Sequence, residues 1–202
     1  MAGNAGSAPT DGQAFPMTSA TDTTRPRRGI LLRLRRFRRD ENGATAVEFG
    51  IVALPFFALM WATLETALAF FAGQALETAV SNSARLIRTG QAQQQAFDKD
   101  AFKDEICDQL WRLMTCDNLH LDVRTFPSYG AISVTTPYDE DNNLDPEDFD
   151  YVPGESSEIV LVRAFYDWPV YVNQLGNDLT NTGNGKHLLA AAAAFRNEPF
   201  PW

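Results

Sequence analysis

The stretch Asn42-Gly-Ala-Thr-Ala-Val-Glu-Phe49 opens an apolar run that continues to about Phe71. The chain carries no charged side chain from Phe49 to Leu64, and Glu65 is the first interruption. About twenty apolar residues in a helix are enough to cross the hydrocarbon core of a bilayer. The sequence therefore predicts a transmembrane helix over residues 44–72. The alternative, a buried core helix of a soluble protein, is disfavoured by the strongly charged flanks.

Charge is distributed unevenly on the two sides of this run. Residues 1–43 carry eight basic and four acidic side chains, and the remainder carries nine basic and twenty-two acidic ones. Arginines next to a membrane crossing stay on the cytoplasmic side. We therefore predict a disordered, basic cytoplasmic leader over residues 1–43 and an acidic extracytoplasmic domain over residues 73–202.

Arginine clusters also bind nucleic acid. Here the cluster adjoins an apolar span, so membrane topology and attraction to anionic lipid explain it better. We predict the lipid bilayer as a partner and no nucleic acid.

The order of basic leader, Gly43, a carboxylate at Glu48 and then a hydrophobic helix resembles the processing site of type IV prepilins. More narrowly, the segment from Asn42 to Phe56 resembles the TadE-like family, small pseudopilin-like proteins of tight-adherence (Flp) pilus systems. Further segments that resemble this family are Ser83–Gly90, the pair Cys107 and Cys116, Phe165–Pro169 and Phe195–Phe200.

This resemblance implies a fold, a processing step and partners. The fold would be α+β, with a long N-terminal transmembrane helix that continues into a pilin-like domain with a small antiparallel sheet. A prepilin peptidase would cleave between Gly43 and Ala44. The other implied partners are further pilins or pseudopilins and the inner-membrane pilus assembly platform. The function implied is minor-pilin or pseudopilin work in pilus assembly and surface attachment.

Glu48 has a physical reason to seek a partner. A carboxylate inside a membrane helix costs roughly 2.5–3.5 kcal/mol, and less toward the interface. The resemblance implies that Glu48 pairs with the new α-amino group at Ala44 of a neighbouring subunit and so sets the helix register. Alternatively, Glu48 is solvated by headgroups and favoured by the helix dipole. The position of Glu65, at the outer interface or against another helix, is left open.

Two other functions are consistent with the same sequence. The protein could be an uncleaved, membrane-anchored periplasmic scaffold of a secretion or pilus machine. The triplet Ala67-Leu-Ala69 also fits a signal-peptidase site, which would release a soluble binding domain or small enzyme that begins at Phe70. We find no catalytic constellation, phosphate loop or metal-ligand spacing, and so predict no enzymatic activity, cofactor or metal.

Within the domain, apolar residues at Leu76, Val80, Ala84 and Ile87 extend the helical pattern, and Gly90 suits its C-terminal cap. A second helix is predicted over residues 94–113. Alternation of period two predicts strands over 119–126 and 131–136 as neighbours. The segment 158–168 is read as a central strand that ends at Pro169. The alanine-rich segment 186–196 is read as a last strand because the sheet and the resemblance require one. The acidic segment 138–154 is read as a solvated loop rather than a calcium site, since it lacks EF-hand spacing.

Cys107 and Cys116 are the two cysteines of the chain. In an extracytoplasmic domain such a pair favours a disulfide. On one continuous helix they would lie about 13 Å apart by helical rise. A disulfide requires Cα atoms within about 7 Å, so the helix must end between them, near Thr115.

Overall fold

The computed structural model describes residues 41–110, 114–171 and 178–201, which form two compact units with a boundary at residues 51 and 52. The described part of the first unit is the start of a long helix. The second unit contains the remainder of that helix and the α+β domain. The predicted leader lies outside the described residues, except for its last three positions.

Helix α1 spans Glu41–Arg88 and continues through Pro55. It ends where the Gly90 backbone enters the left-handed region, with a φ of 77°. There the Gly90 amide donates to the Ile87 carbonyl at 3.0 Å. A residue without a Cβ adopts this conformation at little cost, so the predicted cap at Gly90 is confirmed.

From Glu65 onward, α1 buries one face against the rest of the domain. Its buried positions recur at steps of three and four residues, as a helix with one packed stripe requires. They are Glu65, Ala69, Ala72, Leu76, Ala79, Val80, Ser83, Ala84 and Ile87. Small residues are frequent in the first half of this list, and the larger side chains Leu76, Val80 and Ile87 fill the second half.

Two shorter helices follow, α2 at Gln91–Gln94 and α3 at Lys99–Gln109. The predicted helix over residues 94–113 is therefore wrong in its bounds. Asp98 caps α3, accepting a hydrogen bond from the Ala101 amide at 2.8 Å, and this starts a new helix where the prediction had a continuous one. Phe102, Ile106 and Leu110 of this region are buried. Residues 111–113 lie outside the described part of the chain.

The sheet contains β1 (Leu119–Phe126), β2 (Ile159–Pro169) and β3 (Lys186–Arg196) in the order β1-β2-β3. Both pairings are antiparallel, with Val123 opposite Val162 and Val162 opposite Ala193. The predicted strands over 119–126, 158–168 and 186–196 are confirmed, and the second is central. The alanine-rich β3 is a strand, despite its helical propensity, because it completes the ladder along β2.

The predicted strand over residues 131–136 is wrong. Tyr129–Ala131 forms a 3₁₀ turn, and the residues after it lie outside the sheet. The edge of β1 that this strand would need is occupied by a later segment. The Val123 amide donates to the Asp150 carbonyl, and the Val152 amide donates to the Val123 carbonyl, each at 2.8 Å.

The acidic segment 138–154 is folded against the turn that precedes β3. The Asp139 carboxylate accepts the amides of Asp141 and Asn143, which closes a local turn. The Asn184 amide donates to the Asn143 side-chain oxygen at 2.8 Å. This segment also covers the outer face of the sheet, where Phe149 packs on Phe165 with ring centroids 5.4 Å apart.

Candidate functional site

The residues of the predicted processing site lie near the start of α1. Gly43 is half-buried, and Ala44 and Glu48 are exposed. All three are helical, so the helix begins slightly before the predicted start at residue 44. Ala44 and Glu48 are four residues apart and therefore lie on one face, one turn from each other. The roles of these residues in processing and register remain predictions.

The apolar run of α1 is exposed around the helix. The side chains of Phe49, Leu54 and Leu59 are each at least 70% exposed, and Trp61 is 58% exposed. Among the described residues, one helix is long and apolar enough to cross a membrane, and its apolar window is 0% buried. A core helix of a soluble protein would bury these side chains. The composition and exposure of α1 are those of a membrane anchor.

Glu65 lies where the exposed run meets the packed face of α1. Its side chain is buried, with 6% of the residue exposed. The Glu65 Oε1 atom accepts a hydrogen bond from the backbone amide of Tyr171, just beyond the end of β2. The sequence left open whether Glu65 lies at the outer interface or against another helix. The structure shows its carboxylate bound to the backbone that follows β2 of the chain's own domain. Sequence reasoning missed Tyr171, since nothing in the pattern links residues 106 positions apart.

A buried ion pair lies on the outer face of the sheet. Arg163 of β2 donates to Asp122 Oδ2 from Nη2 at 2.6 Å and from Nε at 3.0 Å. Arg124 Nε and the Asp150 amide donate to Asp122 Oδ1 at 2.8 and 3.0 Å. Burial acts to raise the pKa of Asp122, but the hydrogen bonds from Arg124, Asp150 and Arg163 outweigh it and lower the pKa.

Arg163 also donates from Nη1 to the carbonyl of Thr135 at 2.9 Å, so the ion pair fastens the irregular segment that was predicted to be a strand. Alternation along β1 favours a solvent-facing position for Asp122, and nothing in the sequence links it to Arg163. The signal that could have found the pair was an arginine inside the otherwise apolar segment Ile159–Phe165. A charge in a central strand requires a partner.

Cys107 and Cys116 form the predicted disulfide, with Cα atoms 5.8 Å apart. Cys107 lies in the last turn of α3, and Cys116 begins a 3₁₀ turn. The helix ends between the cysteines at Gln109, earlier than the predicted Thr115. Thr115 instead donates its amide to the phenolic oxygen of Tyr166 at 3.0 Å, which ties the disulfide loop to β2.

Within residues 41–110, 114–171 and 178–201, no group of three or more His, Cys, Asp or Glu side chains is arranged to hold a metal ion. His120 lies in a shallow cleft of about 130 Å³ with Lys99 and Lys103. Burial lowers the pKa of His120, the Asp167 charge opposes this shift, and the charges of the nearby lysines add to it.

A long, exposed apolar helix followed by a small α+β domain defines the class of the protein, a membrane-anchored protein with one candidate span among its described residues. Residues 43–85 match the family of TadE-like proteins. The match confirms the resemblance seen in the sequence and associates the chain with tight-adherence (Flp) pilus systems. It covers 43 of the 202 residues, from Gly43 through most of α1. No curated protein and no solved structure matches the chain.

Proposed function

We propose that the protein is a minor pilin or pseudopilin of a tight-adherence (Flp) pilus system. It is anchored in the bacterial inner membrane, with its basic leader in the cytoplasm and its α+β domain in the periplasm. The observation that carries this proposal is the TadE-like match, which begins at Gly43 and covers the exposed apolar run of α1 and the packed part after it, to residue 85. The arginines before the span support the orientation.

In this proposal a prepilin peptidase cleaves between Gly43 and Ala44. Cleavage produces an α-amino group at the first residue of a helix that is already formed. The exposed Glu48 carboxylate then pairs with the amine of a neighbouring subunit, because a charge in the membrane is stabilised by an opposite charge. The pairing would fix the axial register of neighbouring helices.

The work of the protein is mechanical rather than enzymatic. The exposed side chains of α1, such as Phe49, Leu54 and Leu59, pack against lipid before assembly and against other pilin helices after it. The disulfide and the buried Asp122–Arg163 pair keep the domain rigid, so that its surface can bind other pilins and the inner-membrane assembly platform.

Mass spectrometry of the mature N-terminus, on protein purified from native membranes, tests the proposal. We expect a start at Ala44 in the wild-type protein and an intact leader in Gly43→Ala. The matched control is Gly50→Ala, in the same helix, where an added Cβ meets nothing within 4 Å. The control should be processed like the wild type.

The other outcomes favour the alternatives. An intact leader in the wild-type protein would favour a fixed periplasmic scaffold. A start at Phe70 would favour a secreted soluble domain. That product would lack Glu65 and its hydrogen bond to the Tyr171 amide, so part of the packed face of α1 would be lost.

A second experiment tests the role of Glu48 separately from processing. Glu48→Gln removes the charge and keeps the shape, and Glu48→Asp keeps the charge. We expect both variants to be cleaved at Gly43, and expect Glu48→Gln alone to lose copurification with pilus components. Equal copurification of Glu48→Gln and the wild-type protein would assign Glu48 to simple solvation at the interface.

A further inference from the structure

We propose that the α+β domain rests directly on the outer surface of the membrane, with Glu65 at the end of the hydrocarbon layer and with Phe70 and Tyr171 in the lipid headgroup layer. This inference depends on the membrane-anchoring part of the proposed function. It is independent of cleavage at Gly43 and of pilus assembly.

The first argument is the point along α1 where burial begins. From Phe49 to Leu64, all within the described chain, every side chain is exposed or half-buried. Glu65 is the first buried residue after Gly43, and the packed stripe continues from it through Ala69 and Ala72. Among the residues that the structure describes, the packed face of α1 therefore begins at Glu65.

The second argument is that Glu65 contacts a polar group of the backbone. The Tyr171 amide, which donates to Glu65, belongs to irregular backbone beyond the end of β2 at Pro169. Irregular backbone exposed to lipid is not tolerated in the hydrocarbon layer, because its polar groups have no water to bind. The hydrocarbon layer must therefore end on the N-terminal side of Glu65.

The length of the apolar run is consistent with this boundary. Counting back about twenty residues from Leu64 along the sequence reaches Thr45, and twenty helical residues rise about 30 Å, the thickness of the hydrocarbon core. A boundary farther along, near Phe71, would place both the Glu65 carboxylate and the Tyr171 backbone in hydrocarbon.

The third argument is the set of exposed aromatic side chains around the boundary. Trp61 is 58% exposed, Phe70 is 73% exposed and Tyr171 is 78% exposed. Trp and Tyr are enriched where a membrane meets water. The headgroup layer is about 5–7.5 Å thick on each side, which corresponds to roughly three to five helical residues. Phe70, five residues after Glu65, lies at the outer edge of that layer.

We commit to lipid as the occupant of this surface because the surface continues directly from the membrane-spanning part of α1.

A label-free test compares two tyrosines of the full-length chain in phosphatidylcholine–phosphatidylglycerol vesicles. Hydroxyl radicals oxidise tyrosines that water can reach. Tyr171 is 78% exposed and Tyr129 is 53% exposed in the protein alone. We expect Tyr171 to be oxidised at least fivefold more slowly than Tyr129, and equal rates would overturn the proposal.

Depth measurements with labelled variants separate lipid from protein as the occupant. The native disulfide leaves a newly introduced cysteine as the reactive thiol. The variants are Leu59→Cys, Phe70→Cys, Tyr171→Cys and, as an aqueous control, Val134→Cys, each carrying a fluorophore in vesicles with spin-labelled lipids. Val134 suits the aqueous control because it is 67% exposed and lies far from Tyr171 along the sheet. Its neighbour Thr135 is hydrogen-bonded to Arg163. Arg163 lies six residues of β2, about 20 Å, from Pro169, where the strand ends next to Tyr171.

We expect headgroup spin labels to quench fluorophores at positions 70 and 171 at least twofold more than deep acyl labels do. The reverse is expected at position 59, and no lipid quenching at position 134. If lipid spin labels quench the fluorophore at position 59 but not the one at position 171, the inference is overturned, and α1 is still a membrane anchor. Protection of Tyr171 without lipid quenching would identify a protein occupant and also overturn it. Loss of quenching at position 59 would refute the membrane anchor itself.

Discussion

Asp122 of β1 and Arg163 of β2 face each other across the sheet and form an ion pair at 2.6 Å, with side chains that are 1% and 10% exposed. The pair connects the sheet to two segments of the chain between β1 and β2, one at Thr135 and one at Asp150. Asp122 also receives the Asp150 amide, and Arg163 also donates to the Thr135 carbonyl. A single carboxylate–guanidinium contact therefore holds the long connection between β1 and β2 against the outer face of the sheet.

We predict that Asp122→Asn destabilises the domain by about 3 kcal/mol, because it leaves the Arg163 charge buried without a counter-ion. The measurement is urea unfolding of the full-length chain in a non-ionic detergent, followed by near-ultraviolet circular dichroism. Glu147→Gln is the control, since Glu147 is an exposed carboxylate in the acidic segment. A loss below about 0.5 kcal/mol for Asp122→Asn would contradict the assigned role of the pair.

The same pair predicts how stability depends on pH. The pKa of Asp122 is lowered in the folded protein, so its contribution is present above the unfolded value of 3.8 and is lost as pH falls below it. We expect the unfolding free energy of the wild-type protein to fall between about pH 4 and pH 2. Over that range the Asp122→Asn variant should lose less stability. Parallel curves for the two proteins would show that Asp122 does not titrate as proposed.

Removal of the disulfide should cost about 2–3 kcal/mol, since the bond closes a short loop in the unfolded chain. The variant is Cys107→Ala with Cys116→Ala. Hydrogen exchange should show the largest increase in opening at the Thr115 amide, which donates to Tyr166. Uniform exchange across the domain would instead indicate that the bond acts on global stability alone.

Two glycines with positive φ form a matched pair. Gly154 has a φ of 72°, and an added Cβ would come within 2.8 Å of Thr125 Cγ2. Gly185 has a φ of 75° with open space around it. We expect Gly185→Ala to cost about 1 kcal/mol from backbone strain and Gly154→Ala about 1–3 kcal/mol more from the clash. Equal losses in thermal or urea unfolding would show that Thr125 moves aside freely.

Glu65→Ala should loosen the chain that follows β2. The substitution removes the carboxylate that accepts the Tyr171 amide. Because a hydrogen bond to a charged group contributes roughly 1.5–3 kcal/mol, exchange of that amide should accelerate at least tenfold. Hydrogen exchange with mass spectrometry on the full-length chain in vesicles measures this. Glu77→Ala, which changes an exposed carboxylate on the same helix, should leave the Tyr171 amide unaffected.

The sequence predicted features that depend on residues close together in the chain. The apolar run over residues 44–72 predicts a helix long enough to cross a membrane, and Gly90 marks the end of that helix. Period-two alternation gave the bounds of β1, and the mostly apolar segment that ends at Pro169 gave nearly those of β2. The cysteine spacing required the helix to end between Cys107 and Cys116, which it does.

Tertiary structure decided which segments meet. Residues 131–136 have the alternation of a strand but lie outside the sheet, because Asp150–Val152 bonds to the edge of β1 that they would occupy. Asp122 looks like a solvated strand residue, but it is buried because Arg163 lies opposite. Glu65 looks like an interruption of the span, but it binds an amide 106 residues away. Local periodicity is set by the geometry of one element, and it contains no information about which distant polar group will satisfy a buried charge.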